Sequence, residues 1–391
     1  MSRTAPFRCP WGRLPSPRGL LLALAGAALA GPCRADLFET PGWTLLGTAT
    51  GKVGYDSNLT FSRDGVGDGF GTAEADLMLE RLNSITFTEF SGSLAETDFL
   101  SHRAASQLDA TAAVNIRYPN VDTELPRFDA MADWSRLTAA DPELNRRLTI
   151  QKTEADVGGR VVTEGQFGLD ADLDANLYDY SADGLGRNQQ TVLKVGLAYD
   201  PTTLTEVSAN IAGGVGTSSG DDTATVRDRS ETATIQVRGQ ILPKLTSTVF
   251  VGVTHTSYTG GTTSTSTLPT SGGELVWDLS PGKSLRGGVS LTTGFAPDWE
   301  TQRKTQGTLD YRQALSEVWS FDLLAQVSRY SDRSTGFLRL DTSESGTASV
   351  QYKPSSRFDL SLGYSLLHQT SNLIQAGFAR SLVTLQADFH L

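Results

Sequence analysis

Between Gln166 and Tyr178 the chain alternates without a break. Phe167, Leu169, Ala171, Leu173, Ala175 and Leu177 hold one parity, and Gly168, Asp170, Asp172, Asp174, Asn176 and Tyr178 hold the other. A β-strand points successive side chains to opposite faces. As a strand, this segment carries every apolar group on one side and three carboxylates on the other. The run exceeds the roughly 5–6 residues usual in soluble sheets and suits a tilted strand crossing a bilayer, which needs about 9–11. An apolar exterior in lipid around a water-filled interior accounts for both faces together. The expectation is all-β: a transmembrane up-and-down antiparallel β-barrel in which this element recurs.

Residues 1–35 read as a leader outside the fold. Arg3, Arg8, Arg13 and Arg18 precede the apolar stretch 19–30, and small residues suited to cleavage stand at Ala30 and Ala35. A basic segment, a short apolar core and small residues make a secretory signal peptide, too short to span a membrane as a helix. Lipidation of Cys33 is disfavoured by Pro32, where a small residue should precede the cysteine. Both cysteines, Cys9 and Cys33, lie in this leader, so residues 36–391 hold neither disulfide nor thiolate metal site. The leader also takes five of the 33 basic residues and none of the 44 acidic ones. The remaining chain is strongly acidic, which argues against nucleic acid as a partner. No apolar run after the leader reaches the ~18 residues of a membrane helix, and no linker divides the chain. A membrane location therefore demands a closed barrel, because only closure satisfies every backbone group in lipid.

The first strand opens at Trp43, with Leu45, Gly47, Ala49, Gly51, Val53 and Tyr55 in phase. Trp43 and Tyr55 are far enough apart on a tilted strand to sit in two aromatic girdles. Next, Ala73, Ala75, Leu77 and Leu79 oppose Glu74, Asp76 and Glu80, and Leu108 to Tyr118 repeats the pattern. From Pro119 to Gly165 the alternation is poor, and strands are placed only near 128–134 and 147–153. Beyond, tight turns at 200–203, 242–244, 280–283, 314–317 and 353–356 alternate with longer polar connections. Those are 181–187, 217–228, 260–273, 297–304, 331–341 and 369–375. An antiparallel barrel sorts its connections in this way, with tight turns at one rim and loops at the other. The stretch 260–273 (GGTTSTSTLPTSGG) reads as a low-complexity outer loop. The count is about eighteen strands, with sixteen defensible because of the weak middle.

The chain closes with Ser381, Val383, Leu385, Ala387, Phe389 and Leu391 in one phase. This ending resembles the C-terminal assembly strand of bacterial outer-membrane barrels, with Leu385, Phe389 and Leu391 as its signal residues. It departs from them in having Leu391 where a terminal aromatic is usual. The run Gly51-Lys52-Val53-Gly54-Tyr55-Asp56-Ser57-Asn58 resembles the G-x-x-x-Y-D-x-N opening of the β-barrel porins found with exopolysaccharide synthesis genes. That resemblance implies a Gram-negative outer membrane, lipid and the barrel-assembly machinery as partners, polysaccharide as cargo, and periplasmic synthesis or export proteins alongside. Nothing in composition or spacing by itself implies that role; the reading adopted is a barrel acting as a passive conduit.

On the parity read as inward stand Glu74, Asp76, Glu80, Asp170, Asp172, Asp174, Glu206, Asp322 and Asp359, with Lys194 and Arg238. Such residues are expected to line an aqueous lumen and, with acid in excess, to favour cations. Asp170-x-Asp172-x-Asp174 matches the start of a calcium loop, but Ala175 and Ser181 stand where its Gly and Glu belong, so no metal is expected. The alternatives are a general diffusion porin, a structural barrel with a closed lumen, and a barrel hydrolase using His102 near Asp98. A diffusion porin narrows its lumen with an inward-folded loop, and only 56–71 is long enough to supply one. No H-E-x-x-H, phosphate-cradling Gly loop or G-x-S-x-G occurs, so neither a cofactor nor enzymatic activity is expected.

Overall fold

The computed structural model describes residues 38–40, 42–83, 85–119, 126–141, 146–163, 166–181, 186–219, 225–259, 264–295, 301–334, 337–372 and 377–390. The expected leader and Leu391 lie outside the described residues. The strands are β1 (Phe38–Thr40), β2 (Trp43–Asp56), β3 (Asp68–Leu82), β4 (Phe87–Phe99), β5 (Gln107–Tyr118), β6 (Arg127–Asp141), β7 (Arg146–Thr163), β8 (Phe167–Tyr180), β9 (Arg187–Thr202) and β10 (Thr205–Ser219). They continue as β11 (Val226–Leu242), β12 (Leu245–Thr259), β13 (Ser264–Ser280), β14 (Lys283–Phe295), β15 (Thr301–Ala314), β16 (Trp319–Ser334), β17 (Phe337–Ser355), β18 (Phe358–Ser371) and β19 (Phe378–His390).

β1 only folds back on the start of β2. The other eighteen strands pair antiparallel with their chain neighbours. β19 then pairs with β2, from Leu382↔Asp56 to His390↔Thr48, and closes the sheet on itself. A closed sheet has no unpaired edge, and barrels of 16–18 strands are wide enough to leave an aqueous channel. The count of eighteen agrees with the rhythm of turns in the sequence.

The register sorts the side chains into two faces. Leu385 lies between Leu362 and Val53, Leu173 faces Leu193, and Ile235 faces Val251. These side chains stay open to the surroundings: Val251 is 57% exposed and Leu362 55%. A continuous apolar belt of this kind would associate in water, whereas hydrocarbon matches it. At the rim where the chain ends lie, the same outer face carries aromatic pairs. Phe167–Tyr199 (4.9 Å), Trp319–Tyr352 (4.6 Å), Phe358–Phe389 (5.1 Å) and Trp43–Phe90 (6.2 Å) form a girdle. The opposite face is the concave one. Arg160 of β7 reaches Glu206 of β10 at 3.0 Å across two intervening strands, a reach that inward curvature shortens.

Two expectations about connections are corrected. Most of 260–273 is strand, not loop: β13 pairs with β12 from Tyr258↔Ser264 to Leu245↔Trp277. Threonine is β-branched and favours a pleated surface. Pro269 is accommodated because the ladder to β14 starts only at Ser271↔Leu291, so its missing N–H costs no rung there. Likewise 331–341 is largely strand, with β16 running to Ser334 and β17 starting at Phe337. The poorly patterned middle holds two full strands, β6 and β7. Its alternation is blurred because Met131, Leu137, Ile150 and Val162 face inward while Arg136 faces outward.

Substituting Val251→Arg in the lipid belt should lower barrel stability by about 2–4 kcal/mol, while Thr347→Lys on the inner face should cost less than about 1 kcal/mol. Urea unfolding of the protein in phospholipid vesicles measures both. Equal costs would contradict the assignment of the two faces.

Candidate functional site

The site is the inner wall, and its most structured part is the mouth where β2 runs into the connection 57–67. Asp56, 2% exposed, accepts both a bidentate pair of hydrogen bonds from Arg380 (2.7–3.0 Å) and the backbone N–H of Asn58 (3.0 Å). Ser57 exchanges bonds with Ser381: its N–H donates to the Ser381 carbonyl (2.9 Å), and Ser381 N–H donates to its Oγ (2.7 Å). The Asn58 amide donates to the Ala379 carbonyl (2.9 Å) and, within the loop, to that of Ser62 (2.8 Å). Gly65 is required here, since a β-carbon on it would stand 2.1 Å from the Asn58 side chain. The segment singled out in the sequence thus ends in a polar clasp onto β19.

The loop then turns inward. Phe61 adopts φ +52°, uncommon for a bulky L-residue. Burial offsets that strain: its ring is 2% exposed, meets Phe378 edge-on at 5.6 Å and lies under the Arg380 guanidinium at 4.7 Å. Leu59 is buried beside it at 4%. Phe61 lines one concavity with Phe70 of β3, Phe99 of β4, Asp109 of β5 and Leu137 of β6, so the loop lies inside the barrel mouth. Further along the same β19–β2 seam, Thr50 donates to Asp388 (2.6 Å). Nearer the chain ends, His390 sits between Thr48 (3.3 Å) and Asp359 (3.2 Å), which Lys353 also meets at 3.0 Å.

All the charged residues singled out in the sequence fall on the register opposite the apolar belt. Glu74, Asp76 and Glu80 do so on β3, Asp170, Asp172 and Asp174 on β8, Lys194 on β9 and Glu206 on β10. Arg238 on β11, Asp322 on β16 and Asp359 on β18 do the same. Several are drawn into ion pairs. Arg160 bridges Asp170 (3.6 Å) and Glu206 (3.0 Å), Lys194 meets Asp172 (3.6 Å), and Arg312 meets Asp322 (3.9 Å). Asp174 is set opposite Asp156. Glu206 and Arg238 are register partners. Trp43 belongs to the aromatic girdle at the rim of the chain ends, and Tyr55 stands on the same outer face at the other rim. Leu385 and Phe389 face outward from β19.

Charge is unevenly spread around the lumen. From β3 to β8 the inner face is rich in carboxylates: Glu74 and Asp76, Asp133, Glu154 and Asp156, then Asp170 to Asp174. From β11 to β18 it is mostly hydroxyl and amide, as in Gln236, Thr248, Gln306, Gln326, Thr347 and Ser365. Sequence reading missed Asp56, Arg160, Arg380 and His390. Asp56 was in view as part of the Tyr-Asp-x-Asn run, but its partner is 324 residues away. His102 pairs with Asp68 (3.1 Å), not Asp98, and Asp68 also accepts the backbone N–H groups of Ser101 and His102, which makes the carboxylate a turn organiser.

No family model matches the sequence, and no curated protein does. Among solved structures, the chain is similar to the FrpB iron transporter of Neisseria meningitidis (F5-1 variant), at 8% identity and TM-score 0.46 over 91% of this chain and 83% of that one. It is similar to OccK1 (OpdK) of Pseudomonas aeruginosa, at 10% identity and TM-score 0.46 over 89% and 99%. It is also similar to the alcaligin outer-membrane receptor FauA of Bordetella pertussis, at 10% identity and TM-score 0.44 over 88% and 76%. At these identities and TM-scores the likeness says nothing of cargo.

Replacing Arg380→Ala leaves the buried Asp56 carboxylate without its partner, a loss of about 3–5 kcal/mol for such pairs. The loop should then open, and trypsin should cut at the exposed Arg63 many times faster than in the parent while the barrel stays intact on a gel. Unchanged cleavage would mean the clasp does not hold the loop.

Proposed function

We propose that the chain is a passive pore of the Gram-negative outer membrane, through which hydrophilic solutes diffuse along a wetted wall and past a mouth narrowed by residues 57–67. The observation that carries this reading is the inward-facing row of charged, hydroxyl and amide side chains in a closed barrel of a size that leaves a channel. An inward-folded loop is what the diffusion-porin alternative asks for. The barrel supplies replaceable hydrogen bonds and a fixed field, with no catalytic step. The carboxylate-rich arc from β3 to β8, against a hydroxyl and amide arc, supports a cation preference on one side of the lumen. Export by way of a signal peptide, insertion by the barrel-assembly machinery and a surround of outer-membrane lipid belong to the same reading.

A second reading takes the cargo to be an extracellular polysaccharide handed over by periplasmic synthesis or export proteins. The hydroxyl and amide arc favours it, because an uncharged sugar chain can exchange hydrogen bonds along such a wall without shedding a counterion.

Single-channel recording in planar bilayers tests both. Steady conductance with a reversal potential favouring cations in a salt gradient is expected, and Asp170→Asn, Asp172→Asn and Asp174→Asn together should move that potential toward zero. A barrel that carries no current would overturn the pore reading. Block by the host's own polysaccharide but not by simple sugars would select the second reading over the first, and indifference to the polymer would exclude it.

A further inference from the structure

The hydroxyl and amide arc is not uniform. On β11 to β15 it dips into a groove around Phe250, lined by Gln236, Thr248, Glu274, Ser290 and Gln306. Phe250 points into the lumen, in register with Gln236 on one side and Gly272 on the other. A β-carbon on Gly272 would stand only 2.5–2.7 Å from the Phe250 ring carbons Cε1 and Cζ. The ring therefore occupies the side-chain space of the neighbouring strand and lies along the wall, with its outer side turned to the channel. Gln236, Thr248, Ser290 and Gln306 have no side-chain hydrogen-bond partner among the described residues. Glu274 is neutralised by Arg286.

An aromatic platform framed by uncommitted amides and hydroxyls, with no net charge, is suited to one class of ligand. A pyranose ring has an apolar C–H face and a rim of hydroxyls that both donate and accept. Charged solutes gain little from such a groove, and wholly apolar ones would leave its polar groups unpaired. We propose that this groove is a saccharide-binding subsite of the lumen. A neutral pyranose unit stacks on Phe250 and exchanges water for Gln236, Gln306, Thr248 and Ser290. The Glu274–Arg286 pair supplies a charge-assisted donor and acceptor at the edge. The proposal rests on the pore reading and gives it a point at which a sugar pauses.

The probe is maltoheptaose, a neutral oligosaccharide. Added to one side of a bilayer holding the parent protein, it should interrupt the current for resolvable times. Phe250→Ala should shorten those times about tenfold, Phe250→Tyr should keep them, and Thr153→Ala on the outer face of β7 should leave them unchanged. A separate readout does not need current: Phe250→Trp in detergent should change its fluorescence saturably on addition of maltoheptaose, relative to the parent protein. A conducting parent whose current is unbroken by the sugar, or dwell times equal in Phe250→Ala, would overturn the subsite. So would a silent Phe250→Trp titration, even if the barrel carries no current and the pore reading has itself failed.

Discussion

Closure of the sheet between β19 and β2 is the condition on which everything else here depends. In hydrocarbon a strand edge has no water to satisfy it, so a sheet that failed to close would leave two rows of N–H and C=O groups unpaired. The backbone ladder at this seam covers nine register pairs, Leu382 to His390 against Asp56 to Thr48. Side chains on the inner face extend it at both ends. Asp56 and Arg380 clasp it at the loop rim, Thr50 and Asp388 tie it further along, and His390 bridges Thr48 and Asp359 toward the other rim. Each bond lies on the lumen side, away from hydrocarbon.

Once the barrel is closed, the two faces answer to different solvents, and this permits the asymmetry of the lumen. The outer face is aliphatic at mid-height and aromatic at the rim of the chain ends, with charged residues such as Arg136 and the Glu344–His368 pair toward the loop rim. The inner face carries carboxylates on one arc, hydroxyls and amides on another, and Arg160 spanning strands to hold Asp170 and Glu206. In the pore reading proposed above, a wall of that kind would sort solutes by charge and hydrogen bonding.

Much of this was legible from residue order, because a strand period of two leaves a clear trace when one face meets lipid. β8 is the plainest case, with its apolar and acidic parities both unbroken. The trace fails where the physics that fixes a strand is not local. Residues 264–273 become strand because β12 offers a ladder, while serine and threonine by themselves fit a loop equally well. β6 and β7 were legible only in fragments, near 128–134 and 147–153, because Met131, Leu137 and Val162 put apolar side chains on the inner parity and break the alternation. The site was less legible than the fold: the inward parity of Asp170 or Lys194 follows from alternation, but the partners of Asp56 and Arg160 are set by closure and curvature, which no spacing records.

The clasp at the mouth has a consequence for the order in which the molecule acquires its properties. Residues 57–67 follow the second strand to be made, yet the groups that hold them belong to Phe378, Ala379, Arg380 and Ser381 of the last one. Until β19 docks, the loop lacks the groups that clasp it. A constriction held within one hairpin would be present from early in synthesis. Here the tether arrives with the strand that closes the sheet, so a settled mouth is a mark of completion, and a partly assembled barrel has its mouth loop unheld.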